Sequence, residues 1–214
     1  MFQIESLVVG PFRMNAYLLH CPETGEGVLV DPGDEAPRLL SLVEKRGVAL
    51  KAIWLTHAHI DHLGAVPALR KALGVPVSLH QGDRILAEAA KEQAALLGVG
   101  GRYEGVKADT LLKGNETLSF GPWRLRVLHT PGHSPGSCCF HYDGGGSDDL
   151  VVTGDTLFAG SVGRTDLPGG NTDHLFASIR FKLLTLPTGT RIFPGHGAPS
   201  TIGEEIAGNP FLTD

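Results

Sequence analysis

His57-Ala58-His59-Ile60-Asp61-His62 places four potential metal ligands in six positions, directly after the apolar run 51–56. Ala52-Ile53-Trp54-Leu55 is short, apolar and partly β-branched or aromatic, as a buried strand is, and the chain then continues as a loop toward Gly64. In an extended segment, side chains two apart project the same way, so His57 and His59 can grip one cation. A helical turn beginning at Asp61 swings that carboxylate and His62 to the other side, where they can hold a second. The hexamer therefore reads as the seed of two metal sites, and the bland alternative is a set of solvated histidines at a helix start.

An open catalytic site keeps about three protein ligands per metal plus solvent, so more ligands are expected elsewhere. His133 follows the strand-like Trp123 to Leu128 within Thr130-Pro131-Gly132-His133-Ser134-Pro135-Gly136. Asp155 follows Leu150-Val151-Val152 in Thr153-Gly154-Asp155-Thr156, and His196 follows Arg191-Ile192-Phe193 in Pro194-Gly195-His196-Gly197. Each stands at the end of an apolar strand beside a glycine, where the turn displays the side chain and strand ends converge on one edge of a sheet. Taken singly, each is an ordinary turn residue.

The set His57, His59, Asp61, His62, His133, Asp155 and His196, with Val30-Asp31-Pro32-Gly33 upstream, resembles the metallo-β-lactamase superfamily over nearly the whole chain. Gly154 through Asp166 and the tail Gly208-Asn209-Pro210-Phe211-Leu212 resemble the hydroxyacylglutathione hydrolases, or type II glyoxalases, in their short single-domain form. The resemblance implies that His57, His59 and His133 hold a first metal and that Asp61, His62 and His196 hold a second, with Asp155 bridging both. It also implies an α/β (α+β) fold, the four-layer αββα sandwich. Two readings stand for Asp31: it orients a ligand through a hydrogen bond, or it opens a simple Asp-Pro-Gly turn.

Five imidazoles and two carboxylates without a cysteine suit zinc, expected first at two ions per chain; iron and manganese suit the same donors. Solvent bridging two cations loses a proton near neutral pH, because coordination lowers the pKa of water from about 15.7 to about 7. With Asp61 and Asp155 around that metal-bridging hydroxide, metal-assisted hydrolysis of an ester-like bond is the natural reaction. The resemblance narrows the bond to a thioester, such as a hydroxyacylglutathione.

Full-length type II glyoxalases carry a C-terminal helical segment that contacts glutathione, whereas 18 residues follow His196 in this chain. They also place Lys and Tyr where Arg164-Thr165-Asp166-Leu167-Pro168 stands, which leaves glutathione recognition open. Arg164 either meets a substrate carboxylate or pairs with Asp166. Persulfide dioxygenases are a competing resemblance, with one iron on residues corresponding to His57, His133 and Asp155. A lactone or β-lactam hydrolase would use the same nucleophile on a ring, and a non-catalytic scaffold would be free to lose ligands, of which none of the seven is missing.

Composition fits an ordinary soluble enzyme. A chain of 214 residues, 42% hydrophobic and without a low-complexity linker, is expected to form one domain spanning 1–214. The net charge of −5, from 18 basic and 23 acidic residues without a Lys/Arg cluster, argues against nucleic acid and is compatible with a small-molecule anionic substrate. No leader pattern opens the chain and no apolar run is long enough to cross a membrane, so a cytoplasmic location is expected. Cys21, Cys138 and Cys139 are a poor disulfide framework and are expected as buried thiols in a reducing compartment. Oligomeric state leaves no signature.

Periodicity predicts strands over 2–9, 16–21, 27–31, 75–79, 116–120, 123–128, 138–142, 150–153 and 191–193, and helices over 35–45, 65–73, 84–97 and 173–186. His20, His80 and His141 are expected to be structural. His129 is a candidate for orienting His133, and His174 is a candidate for lining the substrate cleft.

Overall fold

A computed structural model describes residues 1–100 and 103–212; the expected domain boundary at 214 lies outside the described residues. In the first half, β1 (Gln3–Val9), β2 (Met14–His20), β3 (Glu26–Val30), β4 (Ala49–Trp54), β5 (Val77–His80) and β6 (Thr110–Leu112) form one sheet in that order. β1 to β3 are antiparallel and β3 to β6 parallel. The second sheet runs β14-β13-β10-β9-β8-β7, built from β7 (Thr117–Phe120), β8 (Trp123–His129), β9 (Cys138–Tyr142), β10 (Leu150–Gly154), β13 (Arg191–Pro194) and β14 (Ser200–Thr201). A two-stranded hairpin, β11 (Leu157–Phe158) and β12 (Ser161–Val162), stands apart.

Side-chain alternation explains the layers, since successive residues of a strand point to opposite faces. Tyr17, Leu19, Val28, Val30 and Trp54 of the first sheet meet Leu125, Val127, Cys138, Phe140, Leu150 and Val152 of the second in one core between the sheets. Their strand neighbours Leu18, Leu29 and Ile53 face outward onto Leu39 and Val43 of α1 (Ala36–Lys45) and Val66 and Leu69 of α3 (Val66–Leu73). On the far side Cys139, Val151 and Ile192 pack on Leu175 of α6 (Thr172–Ser178) and Ile202 of α7 (Ile202–Gly208). Helix, sheet, sheet, helix is the expected αββα sandwich. Burying a side chain the size of Leu or Phe stabilises by about 1.5–3 kcal/mol, so these three cores carry most of the stability.

Two expected helices are interrupted. The stretch 84–97 breaks into α4 (Arg84–Glu88) and α5 (Ala90–Leu97) at Ala89, with φ −93° and ψ 30°. The break leaves the Ala87 carbonyl to accept from Val106 N at 2.9 Å, so the incoming chain replaces a helical bond. After α6 the helix widens over Ile179–Leu183, with Leu184 N on Ile179 O at 3.0 Å. Buried Leu175, Ile179 and Leu183 are spaced by four, a stripe that drifts off an α-helix and that a five-residue turn keeps on one face. Among elements too short to show periodicity, β6, the β11–β12 hairpin and α7 were unforeseen.

Candidate metal centre

Every candidate ligand lies at or just beyond the C-terminal end of a strand. β10 runs parallel to β13 and, through antiparallel β9, parallel to β8, so the segments carrying His133, Asp155 and His196 leave the sheet in the same direction. β4 leads into the hexamer, and α2 (Ile60–Leu63) starts one residue before Asp61, turning it and His62 away from His57 and His59.

All seven side chains converge. The ligating atoms of His57, His59 and His133 form one group, those of His57, His62 and Asp155 a second, and those of Asp61, His62 and His196 a third, each within 4.8 Å. His59 Nδ1 is 2.8 Å and His57 Nε2 3.2 Å from His133 Nε2. Asp155 lies between the outer groups: Oδ1 is 3.3 Å from His62 Nε2, while Oδ2 is 3.5 Å from His133 Nε2 and 3.6 Å from His196 Nε2. Asp61 Oδ2 is 3.2 Å from His196 Nε2.

Partners on the far side of each ring decide which nitrogen faces the cluster. A carbonyl only accepts, so His133 Nδ1 donates to Arg164 O at 2.7 Å and His196 Nδ1 to Phe12 O at 3.2 Å. His62 Nδ1 meets Asp31 Oδ2 at 3.0 Å. Each contact leaves Nε2 for the centre, as supporting hydrogen bonds do around bound metals. Asp31 also accepts from Thr56 N at 2.7 Å and Thr56 Oγ1 at 2.6 Å, which holds its backbone at φ 49°. Asp31 thus makes the hydrogen bond to candidate ligand His62 that the first of its two readings requires.

Burial and charge divide the imidazoles. Burial, followed by the neighbouring rings, pushes His57 well below the usual histidine range and His59 down to about 3. Burial also disfavours the charged form of His62, yet the carboxylates of Asp155, Asp61 and Asp31 outweigh it and raise the pKa. His196 is raised in the same way by Asp61 and Asp155 against burial. Burial acts to raise the two acids, but His62 above all, with His196, holds Asp61 and Asp155 below the carboxylate range.

His62 Nε2 and Asp155 Oδ1 are buried without a hydrogen-bond partner. Leaving such an atom unpaired costs about 1–3 kcal/mol, and these two face each other inside a ring of nitrogens and carboxylate oxygens. The donor set fits divalent transition metal, which would satisfy both.

One supporting residue gave no signal in the sequence. Asp83, wholly buried, accepts from Ala58 N at 3.0 Å, Ser134 Oγ at 2.6 Å and Gly136 N at 2.6 Å, binding the hexamer to the His133 loop. The amide of Gln93 donates to the Ala58 carbonyl at 2.9 Å. In sequence Asp83 is a helix-start acid and Gln93 a polar residue in an Ala/Leu-rich helix. Gly195 is required for close approach, because a Cβ there would strike Asp155 Oδ1 and come within 2.7 Å of His62 Cε1.

The centre opens into a cleft of about 350 Å³ lined by His59, Asp61, His133, Asp155 and His196 together with Phe12, Leu97, Phe158, Val162, Arg164 and Leu167. A second cavity, about 430 Å³, is lined by Lys113, His129, Pro131, His174, Phe181 and Lys182 among others and touches no candidate ligand. His174, a candidate for lining the cleft and equally explained as a helix N-terminal residue, lies outside it at the start of α6. His129 stacks on buried His80 at 3.9 Å and contacts Pro135 O at 3.0 Å, bracing the loop without touching a ligand. Arg164 pairs with Asp166 through two contacts of 2.7 Å.

The sequence profile of the Metallo-beta-lactamase superfamily matches residues 9–196. The chain belongs to this superfamily. Within it, the chain is 42% identical over 205 residues to the probable metallo-hydrolase YqgX of Bacillus subtilis, covering 95% of this chain and 94% of the relative. It is 37% identical over 210 residues to the hydroxyacylglutathione hydrolase GloC of Haemophilus influenzae, covering 98% and 97%. The crystal structure of TTHA1623 in a di-iron-bound form superposes with a TM-score of 0.86 at 46% identity, covering 97% of this chain and all of that one. Superfamily membership, the His/Asp cluster and these relatives make the chain a metallo-hydrolase with the fold expected from sequence; the iron in that neighbour leaves zinc and iron both open.

Proposed function

We propose that the protein is a binuclear metal-dependent thioester hydrolase of one domain. The observation that carries this is the two three-residue groups, His57/His59/His133 and Asp61/His62/His196, with the Asp155 carboxylate between them. His57, His59 and His133 would hold one ion, Asp61, His62 and His196 the other, and Asp155 both, with zinc the first expectation and iron or manganese suited to the same donors. When bound, such a pair supplies Lewis acidity and a lowered pKa for water.

The chain's own residues define the rest. None of the described residues lining the cleft is a serine or cysteine, and burial pushes the Cys138 thiol well up and the Cys139 thiol up to about 11. The nucleophile is therefore water. Its oxygen adds to the acyl carbon, the C–S bond breaks, and the thiolate leaves with the bonding pair. Asp61 and Asp155, the ionised carboxylates of the cleft, stay ionised and orient the attacking water, whose proton passes to the departing thiolate or to solvent. A thiolate needs little protonation to depart, which favours a thioester over an amide in a cleft where every imidazole is committed to the centre. The naming of GloC as a hydroxyacylglutathione hydrolase supports this bond class. Three free, buried cysteines support a reducing, cytoplasmic setting, and no described helix is long and apolar enough to cross a membrane.

Metal analysis of protein purified without added metal, followed by assay on S-lactoylglutathione and simpler thioesters, tests the reading. Near two equivalents of metal and thiol release are expected. One iron with persulfide-dependent oxygen uptake, or ring opening of a lactone or β-lactam without thioester turnover, would replace it.

A further inference from the structure

Beyond the ligands, the cleft is walled by carbon. Phe12, Leu97, Phe158, Val162 and Leu167 supply its sides. Arg164, the one cation among the described lining residues apart from the imidazoles, is held bidentate by Asp166, whose carboxyl it draws down to about 2. A side slot of about 40 Å³ reaches His59 and is lined by Leu86, Leu96, Leu97, Leu167 and Pro168. Its polar member, Gln93, spends its amide hydrogens on the Ala58 and Leu86 carbonyls at 2.9 and 2.8 Å. Leu96 and Leu97 are 66% and 37% exposed and belong to none of the three cores. A single surface leucine is commonplace, but these two complete an apolar channel that ends at a candidate ligand.

We infer that the substrate is a thioester with a short apolar acyl group, which fills the slot between Leu97 and Leu167, and that its thiol half lies in the wider cleft without charge recognition. The inference rests on the thioester reading above and narrows it. Size assigns the halves: the slot, at about 40 Å³, has room for roughly three water-sized groups, enough for a propionyl or butyryl chain and far too little for glutathione. Chemistry assigns the preference. A hydroxyl in the slot gives up its water for a lining of four leucines and a proline, with the Gln93 amide hydrogens already given to carbonyls, a loss of about tenfold. The two carboxylates of glutathione find one guanidinium among the described lining residues and must compete with Asp166 for it.

The test uses metal-loaded protein and acetyl, propionyl and butyryl thioesters of N-acetylcysteamine, with S-butyrylglutathione for comparison. A second readout, independent of turnover, is calorimetric binding of matching ketones in which CH2 replaces sulfur, including a lactoyl ketone. kcat/KM should rise about fourfold per methylene, the equivalent of about 0.8 kcal/mol, up to butyryl. The propionyl ketone should bind about tenfold tighter than its lactoyl counterpart, and the two butyryl carriers should agree within about fivefold. In Leu97→Asn and Leu167→Asn, both at partly solvated positions, the butyryl-to-acetyl ratio should fall toward one. A flat chain-length series, tighter binding of the lactoyl ketone, or a preference of about thirtyfold or more for glutathione would overturn the inference. Ketone binding that strengthens with chain length, without turnover of any thioester, would sink the hydrolase reading and leave the apolar slot standing.

Discussion

Asp83 Oδ2 accepts the hydroxyl of Ser134 at 2.6 Å across 51 residues of sequence, and through that bond the loop bearing His133 is fastened to the loop bearing His57 and His59. Three hydrogen bonds converge on one fully buried carboxylate, so its removal strands the N–H groups of Ala58 and Gly136 away from water and leaves the Ser134 hydroxyl to Ser137 Oγ alone. Asp83→Ala should lower the melting temperature and weaken metal binding about 10–100-fold, the scale of losing a residue that orients ligands. Asp83→Asn keeps one acceptor and should fall between the two. Competition with a chromophoric chelator measures the affinity; wild-type metal affinity in Asp83→Ala would refute the positioning role.

Asp155 oxygens lie within 3.6 Å of His133 in one candidate group and of His62 and His196 in the other. Asp155→Ala should therefore lower metal content toward zero at both sites and remove nearly all turnover. Protein that retains two equivalents after dialysis would show that the carboxylate does not bridge.

Gly195 carries no ligand atom, yet a methyl group at that position would displace Asp155 or His62. Gly195→Ala should weaken metal binding by at least about tenfold while leaving the far-UV circular dichroism unchanged. A variant with unaltered metal affinity would mean that the β13 turn can shift at little cost.

His59 is neutral in the folded metal-free protein down to a pH of about 3, and it takes a proton in the unfolded chain below about 6.5. Its depressed pKa thus contributes stability present above pH 6.5 and lost as pH falls toward 3, with about one proton taken up on unfolding in that window. In metal-free His59→Gln, chemical unfolding between pH 6 and 4 should show a pH slope smaller than wild type by about one proton. Equal slopes would place the acid sensitivity elsewhere, His57 being next, since burial lowers it as well.

His80 stacks on His129 and touches no ligand. His80→Ala should cost about 1–3 kcal/mol in stability and leave kcat/KM within about threefold. A loss of about a hundredfold in turnover at full metal loading would show that the His129 loop transmits more than support.

The seven candidate ligands were legible in the sequence because their chemistry is explicit: imidazoles and carboxylates at strand ends beside Gly have few other uses together. Periodicity alone gave a mixed α/β or α+β class and the family resemblance gave the layers; in the structure Leu18 and Leu19, or Val151 and Val152, reach opposite cores by alternating across a strand. The broken helix at Ala89 was not legible, because its cause is the Ala87 carbonyl turning to Val106 N, a contact with no local trace. Nor was the place of His174, whose position after Gly169-Gly170-Asn171 suggested the cleft although the helix carries it to the other cavity.

By itself the sequence determined which groups can bind metal and which faces of the strands must be buried, as donor type and side-chain period belong to each residue locally. Tertiary structure alone decided that Asp83 ties two loops together and that Leu97 and Leu167 line one slot beside His59. Those relationships are distances between chain segments far apart in sequence, set by how the two sheets pack.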